Sequence, residues 1–222
     1  DALPILEKLI PMYADSASVL LDSIQAPDEL TDKDFAHWCM LCGKVTDEAA
    51  TGLLPIYQWQ RAQQWFTEHG TAEEQAQIDL YLGRAYVEDG EYDKAMQIYA
   101  DALQLAKEHQ AYNVAGYICA YMADLYGFRD ITSECLKKRE EACEFFKKAE
   151  NYKSYAYSLK DLAGEWAILD SFACTIPLLQ KADSISQLLH NKNLTAAIAN
   201  AFALIYEMQG KYNEAETAYL KA

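Results

Sequence analysis

Apolar residues recur three and four positions apart along almost the whole 222-residue chain. This is the pattern of α-helices that bury one face. Two prolines inside the pattern, Pro55 and Pro177, come early in their helices, where a missing N–H costs little. The pattern therefore predicts an all-α protein of twelve helices, covering residues 2–12, 16–25, 32–45, 50–69, 72–89, 92–109, 111–127, 133–150, 152–169, 172–189, 192–209 and 212–222.

Glycines and histidines mark the ends of several of these helices. A glycine just after a helix adopts the left-handed conformation at little cost. Three glycines are expected in that conformation: Gly70, Gly90 and Gly210. A histidine at a helix end complements the helix dipole when it is protonated. Three histidines have such positions: His69, His109 and His190. His37 has no candidate partner nearby, so none of the four histidines is assigned to catalysis.

A pair of helices recurs along the chain. Residues 83–102 align with residues 203–222 at an offset of 120. The aligned pairs are Tyr86/Tyr206, Gly90/Gly210, Tyr92/Tyr212, Ala95/Ala215, Tyr99/Tyr219 and Ala102/Ala222. Residues 163–182 form another copy at an offset of 80, and residues 123–149 form a fourth with about seven extra residues in the turn. The mean period is about 40, with individual spacings of 47, 33 and 40.

The repeated residues have a packing explanation. A single helix hairpin cannot bury both faces, so it stacks on the next one. The small residues at Ala95, Ala142 and Ala215 allow two helices to approach closely. An aromatic residue about four positions later fills the space beyond, a place that Tyr99 and Phe146 would take. Nothing in this pattern requires chemistry.

The spacing resembles the tetratricopeptide repeat (TPR). The matching residues in the best copy are Leu82, Gly83, Tyr86, Gly90, Tyr92, Ala95, Tyr99 and Ala102. The resemblance is strong over 76–109, good over 196–222 and degenerate over 116–150 and 156–189. The family has a period of about 34 residues, which is shorter than the mean period of about 40 in this chain. It implies a right-handed α-solenoid of stacked antiparallel hairpins. We expect one continuous solenoid, with divergent hairpins over 1–70 and four TPR-like repeats over about 72–109, 111–150, 152–189 and 192–222 within the span 71–222.

Charge and hydropathy narrow the class of partner. The formal net charge is -15, which disfavours nucleic acid, because phosphates are neutralised by Lys and Arg. No apolar run approaches the roughly 18 residues of a membrane span. We therefore expect a protein or peptide partner, no nucleic acid and no membrane span within this segment.

The sequence favours a protein without enzymatic activity. No nucleophile elbow, phosphate-binding loop, zinc-protease motif or dinucleotide loop occurs. The lone C-x-x-C at Cys39 and Cys42 has no second ligand pair and no βαβ context, so two cysteines one turn apart on a helix are the preferred interpretation over a metal or redox site. No catalytic residue, metal ligand or cofactor is predicted.

A binding groove is the better prospect. The TPR resemblance implies that the first helix of each hairpin lines a concave groove, which would bind a peptide or helix by shape and hydrogen bonding. The candidate groove residues are Gln77, Arg84, Glu88, Tyr117, Asp124, Tyr157, Lys160, Asn200 and Glu207. Leu80, Phe128, Gly164 and Leu204 belong to the same positions. The Lys/Asn pair of carboxylate-clamp TPRs is absent from the corresponding pairs, which are Leu80/Arg84, Ala120/Asp124, Lys160/Gly164 and Asn200/Leu204.

A second resemblance concerns location. The stretch DSASVLLDSI at residues 15–24, followed by long repeats, is similar to a subgroup of bacterial cell-envelope TPR proteins. This resemblance implies a periplasmic or cell-envelope location, with the cytoplasm as the alternative. It also implies an alternative function, the extracytoplasmic ligand-sensing region of a membrane-anchored bacterial signalling regulator. A lipidation cysteine before Asp1 and a hydrophobic membrane helix after Ala222 would favour that alternative.

Overall fold

The computed structural model describes residues 3–24, 26–48 and 52–220, except for the side chains of residues 3–8, 11 and 12. Within these ranges the protein has eleven α-helices, one 3-10 turn at Pro27–Glu29 and no strand. The helices are α1 Leu3–Asp22, α2 Asp32–Glu48, α3 Ile56–His69, α4 Ala72–Glu88, α5 Tyr92–Glu108, α6 Tyr112–Phe128, α7 Thr132–Lys148, α8 Tyr152–Ile168, α9 Phe172–Leu188, α10 Lys192–Met208 and α11 Tyr212–Tyr219. Consecutive helices pack as hairpins, which confirms the all-α class.

From α4 onwards the helices follow an even period. Each of α4 to α10 has 17 residues, and three residues separate it from the next helix. The prediction of about seven extra residues in the turn within 123–149 is therefore wrong, because the turn between α6 and α7 is as short as the others. Since the register is uninterrupted, Arg139 takes the place of Tyr99 and Cys135 takes that of Ala95. Phe146 lies two turns further along α7.

The three-residue turns share one left-handed residue. Gly90 and Gly210 have φ of 79° and 71°, as predicted. In the five intervening turns a residue with a side chain adopts the same conformation: Gln110, Asp130, Glu150, Asp170 and His190. The following N–H returns to the last turn of the helix, as Glu91 N–H does to the Tyr86 carbonyl at 2.8 Å. Gly70 is different, because its φ of -86° is not left-handed and the prediction for it is wrong.

Two helix boundaries near the N-terminus also differ from the prediction. The first two predicted helices are joined into α1, with a kink at Tyr13, where φ is -142° and ψ is 51°. Helix α3 begins at Ile56 rather than at 50, because Pro55 is extended and precedes the helix as its N-cap residue. Residues 2, 25, 50, 51, 221 and 222 of the predicted helices lie outside the described residues.

The chain divides into two compact units, Asp1–Val114 (unit 1) and Ala115–Ala222 (unit 2). In unit 1, α2 packs on α1, α3 and α4 around large buried side chains such as Phe35, Trp59 and Tyr81. In unit 2, α8 packs on α7, α9 and α10, with Ala163 and Leu179 in the core.

Charge is unequal between the units. Unit 1 has 20 acidic and 7 basic residues, a net charge of -13. Unit 2 has 14 acidic and 12 basic residues, a net charge of -2. The acidity of the protein therefore resides mainly in unit 1.

Candidate functional site

In unit 2 the predicted groove residues lie on α6, α8 and α10, the first helices of their hairpins. We call the solvent-facing side of these three helices the first-helix face. The Tyr117 hydroxyl on α6 forms a 2.8 Å hydrogen bond with the Ser154 hydroxyl on α8. Its ring stands edge-on to Phe146 at 4.8 Å between centroids, and Gly116 leaves room for the Phe146 ring. Tyr117 is therefore half-buried and links α6 to α8.

A charged cluster centred on Arg139 occupies the middle of this unit. The guanidinium of Arg139, which reaches from α7, lies 2.7 Å from Asp124 on α6 and 3.5 Å from Glu165 on α8. Asp161 is 4.0 Å away. The side chain of Arg139 is only 11% exposed. One arginine thus connects α6, α7 and α8 through three carboxylates.

The surroundings of the cluster shift the pKa values of its members. Burial acts to lower the pKa of Arg139, but the charges of Asp124 and Asp161 raise it above its ordinary value. Burial raises the pKa of Asp124, and the Arg139 charge opposes that rise. The thiol of Cys135, beside the guanidinium, has its pKa raised to about 11 by burial and by Glu165. The ion pairs of Arg139 therefore join α6, α7 and α8.

The surface of α8 is open at Gly164. Apart from its chain neighbours and the backbone of its own helix, a Cβ on Gly164 would meet no atom within 4 Å, so the half-buried backbone is accessible there. Lys160, one turn earlier, is half-buried, and its ammonium lies 2.5 Å from Asp161. Tyr157 is half-buried on the same helix. On α10, Asn200 is exposed, and so is Glu207, which accepts a 3.2 Å hydrogen bond from the Tyr219 hydroxyl.

The candidates in unit 1 are mostly engaged within the fold. Arg84 forms a 2.5 Å ion pair with Asp47 on α2, and the Tyr81 hydroxyl donates to the same carboxylate at 2.8 Å. Burial raises the pKa of Asp47, and the charge of Arg84 opposes the rise. Gln77 is half-buried, Leu80 is fully buried and Glu88 is exposed. Leu80 therefore cannot contact a partner.

The sequence pattern did not identify three residues of the first-helix face and its supporting cluster. Arg139 was missed because Phe146 had been aligned with Tyr99, and an uninterrupted 20-residue helix period would have revealed it. Ile168 and Met208, the exposed last residues of α8 and α10, were also missed. They lie 40 and 80 residues after Phe128, which had been placed in the groove.

The other candidate chemistries find no support among the described residues. No group of three or more His, Cys, Asp or Glu side chains there could hold a metal ion. Burial raises the pKa of Cys39 far above the ordinary range and that of Cys42 to about 12, so both stay protonated. His37 does have partners, since its Nδ1 lies 2.7 Å from the Lys33 carbonyl and its ring contacts Trp65.

A surface cavity of about 560 Å³ lies elsewhere in unit 2, between α9, α10 and α11. Its lining combines polar side chains, such as Asp183, Gln187 and Asn213, with the aromatic rings of Phe202 and Tyr206. These two rings are stacked 6.1 Å apart. The cavity has the mixed character of a small-molecule site.

Two stretches of the chain, residues 80–109 and 195–222, match the tetratricopeptide repeat family model. A comparison with curated protein sequences gave no match. Among solved structures, BtubC (BKLC) from P. vanneervenii is similar, with a TM-score of 0.69 and 16% identity over 96% of this chain and 87% of that one. The apo form of RapI has a TM-score of 0.67 and 14% identity over 95% and 90% of the two chains.

The nearly identical TPR-like repeats of a Podosopora anserina protein are also similar, with a TM-score of 0.60 and 15% identity over 89% of this chain and 95% of that one. At these identities the structural likeness establishes the fold alone. The family model and the fold together support a TPR-like helical repeat protein. None of the described helices is both long enough and apolar enough to span a membrane.

Proposed function

We propose that this protein is a non-enzymatic protein–protein interaction scaffold that docks a peptide or a helix on the first-helix face, the counterpart of the concave TPR groove. The observation that carries the proposal is the open surface around Gly164 on α8, where a partner's backbone can approach closely. Helical repeat folds of the TPR type generally serve protein–protein interaction, which agrees with this proposal.

The contacts in unit 2 divide the candidates into two roles. Asn200 and Glu207 are exposed and offer an amide and a carboxylate to a partner. Tyr117 and Asp124 are bonded to Ser154 and Arg139, so they shape the face and hold its helices in place. Recognition would therefore rest on α8 and α10 more than on α6.

A photo-crosslinking experiment tests this proposal. Benzoylphenylalanine replaces Asn200 on the first-helix face in one variant and Glu140, an exposed residue of the second helix α7, in a matched control. We expect a discrete crosslinked protein partner from position 200 and none from position 140. Equal crosslinking from both positions, or none from position 200, would show that the first-helix face is not the docking surface.

Arg84 is a poor choice for such a test. Its replacement by Glu would place two carboxylates together with Asp47 and destabilise unit 1. Loss of a partner in that variant would then report unfolding rather than a lost contact. Asn200 is exposed on α10, so its replacement separates binding from stability.

The cavity between α9, α10 and α11 favours a second candidate function, the ligand-sensing region of a membrane-anchored signalling regulator. Native mass spectrometry of the protein, purified under mild conditions, should then show a co-purifying small molecule. Replacing Ala199, which lines the cavity, with Trp should remove it. If the protein carries no added mass, or Ala199→Trp retains it, the cavity is not a ligand site.

A further inference from the structure

A row of exposed apolar side chains follows one edge of unit 2. Phe128, Ile168 and Met208 are the last residues of α6, α8 and α10, and they are 70%, 71% and 52% exposed. Leu204, one turn earlier on α10, is 55% exposed. We call these four residues the apolar row. Glu88 takes the same repeat position in α4, so the apolar character is a property of unit 2.

The helix ends that carry the row lie side by side. Helix α10 packs on α8. Helix α6 is tied to α8 by the Tyr117–Ser154 hydrogen bond and by Arg139, which reaches carboxylates on both helices. Isolated exposed apolar residues are normal, but a row at equivalent positions of neighbouring helices marks an interaction surface.

The charges beside the row are mostly negative. Asp124 lies one turn before Phe128, and Glu165 lies one turn before Ile168. Asp161 and Glu207 are on the same helices. Of the cations nearby, Lys160 pairs with Asp161, Arg139 lies among three carboxylates, and Arg129 directly follows Phe128. Unit 2 as a whole has a net charge of only -2, so these carboxylates act on a cationic partner at short range.

We infer that the apolar row binds a cationic amphipathic helix of another protein. Its apolar stripe covers Phe128, Ile168, Leu204 and Met208, and its Lys and Arg side chains face the exposed carboxylates of Asp124 and Glu207. This inference rests on the proposed function, because it names the partner class for the first-helix face.

The length of the row sets the length of the partner. Packed helices are about 8–10 Å apart, so three neighbouring helix ends span roughly 20 Å. A helix rises 1.5 Å per residue, so about 13 residues cover that distance. In the partner helix, an apolar residue in every second turn, about seven residues apart, would match the distance between successive side chains of the apolar row.

Fluorescence anisotropy with labelled peptides tests the inference. The probe is an amphipathic helix of about 18 residues made of Leu and Lys. A second peptide replaces each Lys by Glu, and a third has the Leu/Lys composition in an order without an apolar face. We expect the first to bind the intact chain at least about tenfold more tightly than either control, with an affinity that falls as salt is added.

Matched variants place the binding site. Ile168→Ser and Met208→Ser should each weaken binding at least about fivefold, because each removes a contact from the centre of the apolar stripe. Leu188→Ser is the control, since Leu188 is 81% exposed at the end of the second helix α9 and lies outside the row. All three variants should retain the circular dichroism spectrum and melting temperature of the parent.

The outcomes separate this inference from the proposed function. Equal binding of the Glu peptide, or equal losses in Ile168→Ser and Leu188→Ser, would overturn the inference. If no peptide binds while position 200 still crosslinks to a protein, docking on the first-helix face holds and the cationic partner is wrong. If the Lys peptide binds through the row but position 200 yields no crosslink, the row is a binding site and the wider docking proposal fails.

Discussion

The hairpins α4/α5 and α6/α7 have the same length, turn and register, yet they are stabilised by different chemistry at one equivalent position. In the first hairpin that position is Tyr99, a fully buried ring that packs on Gly83, where a Cβ would collide with it. In the second it is Arg139, whose guanidinium reaches Asp124 and Glu165.

The comparison shows that the backbone of the repeat tolerates two kinds of core. A buried tyrosine contributes mainly through the apolar area it removes from water. A buried arginine is acceptable only when carboxylates compensate the loss of hydration. We therefore expect the stability of the α6/α7 hairpin to depend on the carboxylate partners of Arg139. The stability of the α4/α5 hairpin should depend on the volume of the buried Tyr99 ring.

The largest effect is expected from Tyr99→Ala. Removing a fully buried aromatic ring leaves a cavity above Gly83, which should lower the free energy of unfolding by about 3–5 kcal/mol. Urea denaturation followed by circular dichroism measures the loss. Tyr57→Ala is the control, because Tyr57 is exposed and should change stability by less than about 0.5 kcal/mol. A small loss at Tyr99 would show that the ring does not form the core of the hairpin.

Arg139→Ala should come next. It leaves Asp124 and Glu165 without their cation, and breaking a largely buried pair should cost about 2–4 kcal/mol. Part of the loss should be regained in Arg139→Ala combined with Asp124→Asn, because that pair removes one uncompensated charge.

The matched control for Arg139 is Lys94→Ala. Lys94 and its partner Glu91 are both well exposed, so this change should cost less than about 1 kcal/mol. Equal losses at the two positions in urea denaturation would mean that Arg139 behaves as an ordinary surface cation.

Removing the charge of a buried carboxyl should instead raise stability. Asp79 on α4 accepts a 2.7 Å hydrogen bond from the Gln63 amide, and burial raises its pKa to about 6. Because the folded pKa lies above the unfolded one, stability should fall as the pH rises from about 4 to about 6 and stay lower above that. Asp79→Asn should therefore raise the free energy of unfolding by about 1–2 kcal/mol at pH 7.5 and by little at pH 4.

The control for Asp79 is Glu88→Gln, an exposed carboxylate at the end of the same helix. The free energy of unfolding of Glu88→Gln should equal that of the parent at each pH in the same series of urea titrations. A pH profile for Asp79→Asn that runs parallel to the parent would contradict a raised pKa at this carboxyl.

The smallest effect concerns the turns. Gly90 has space around its α-carbon, so Gly90→Ala should cost only the strain of a left-handed alanine, about 1 kcal/mol. Gln110 has the same conformation, with φ of 58°, so Gln110→Gly should be neutral or stabilise by up to about 0.5 kcal/mol. Thermal unfolding of the pair measures the difference, and losses of the same size in both variants would contradict it.

Much of the fold was predictable because it depends on local signals. Helical periodicity and the glycines at 90 and 210 defined most of the helices and two of the turns. The left-handed turns at Gln110 and Glu150 were not predictable, because neither residue type favours that conformation and backbone hydrogen bonds offset the strain. Arg139 was missed because its carboxylate partners Asp161 and Glu165 belong to the next hairpin, so residue type alone favoured an aromatic alignment.

The sequence by itself determined the helix hairpin, its repetition and its acidity, since periodicity, turn residues and charge are properties of neighbours along the chain. Only the tertiary structure decided which groove candidates are engaged, as Arg84 is with Asp47, and which are exposed, as Asn200 and Glu207 are. Burial depends on helices that are distant in sequence, and that is the physical reason for the division.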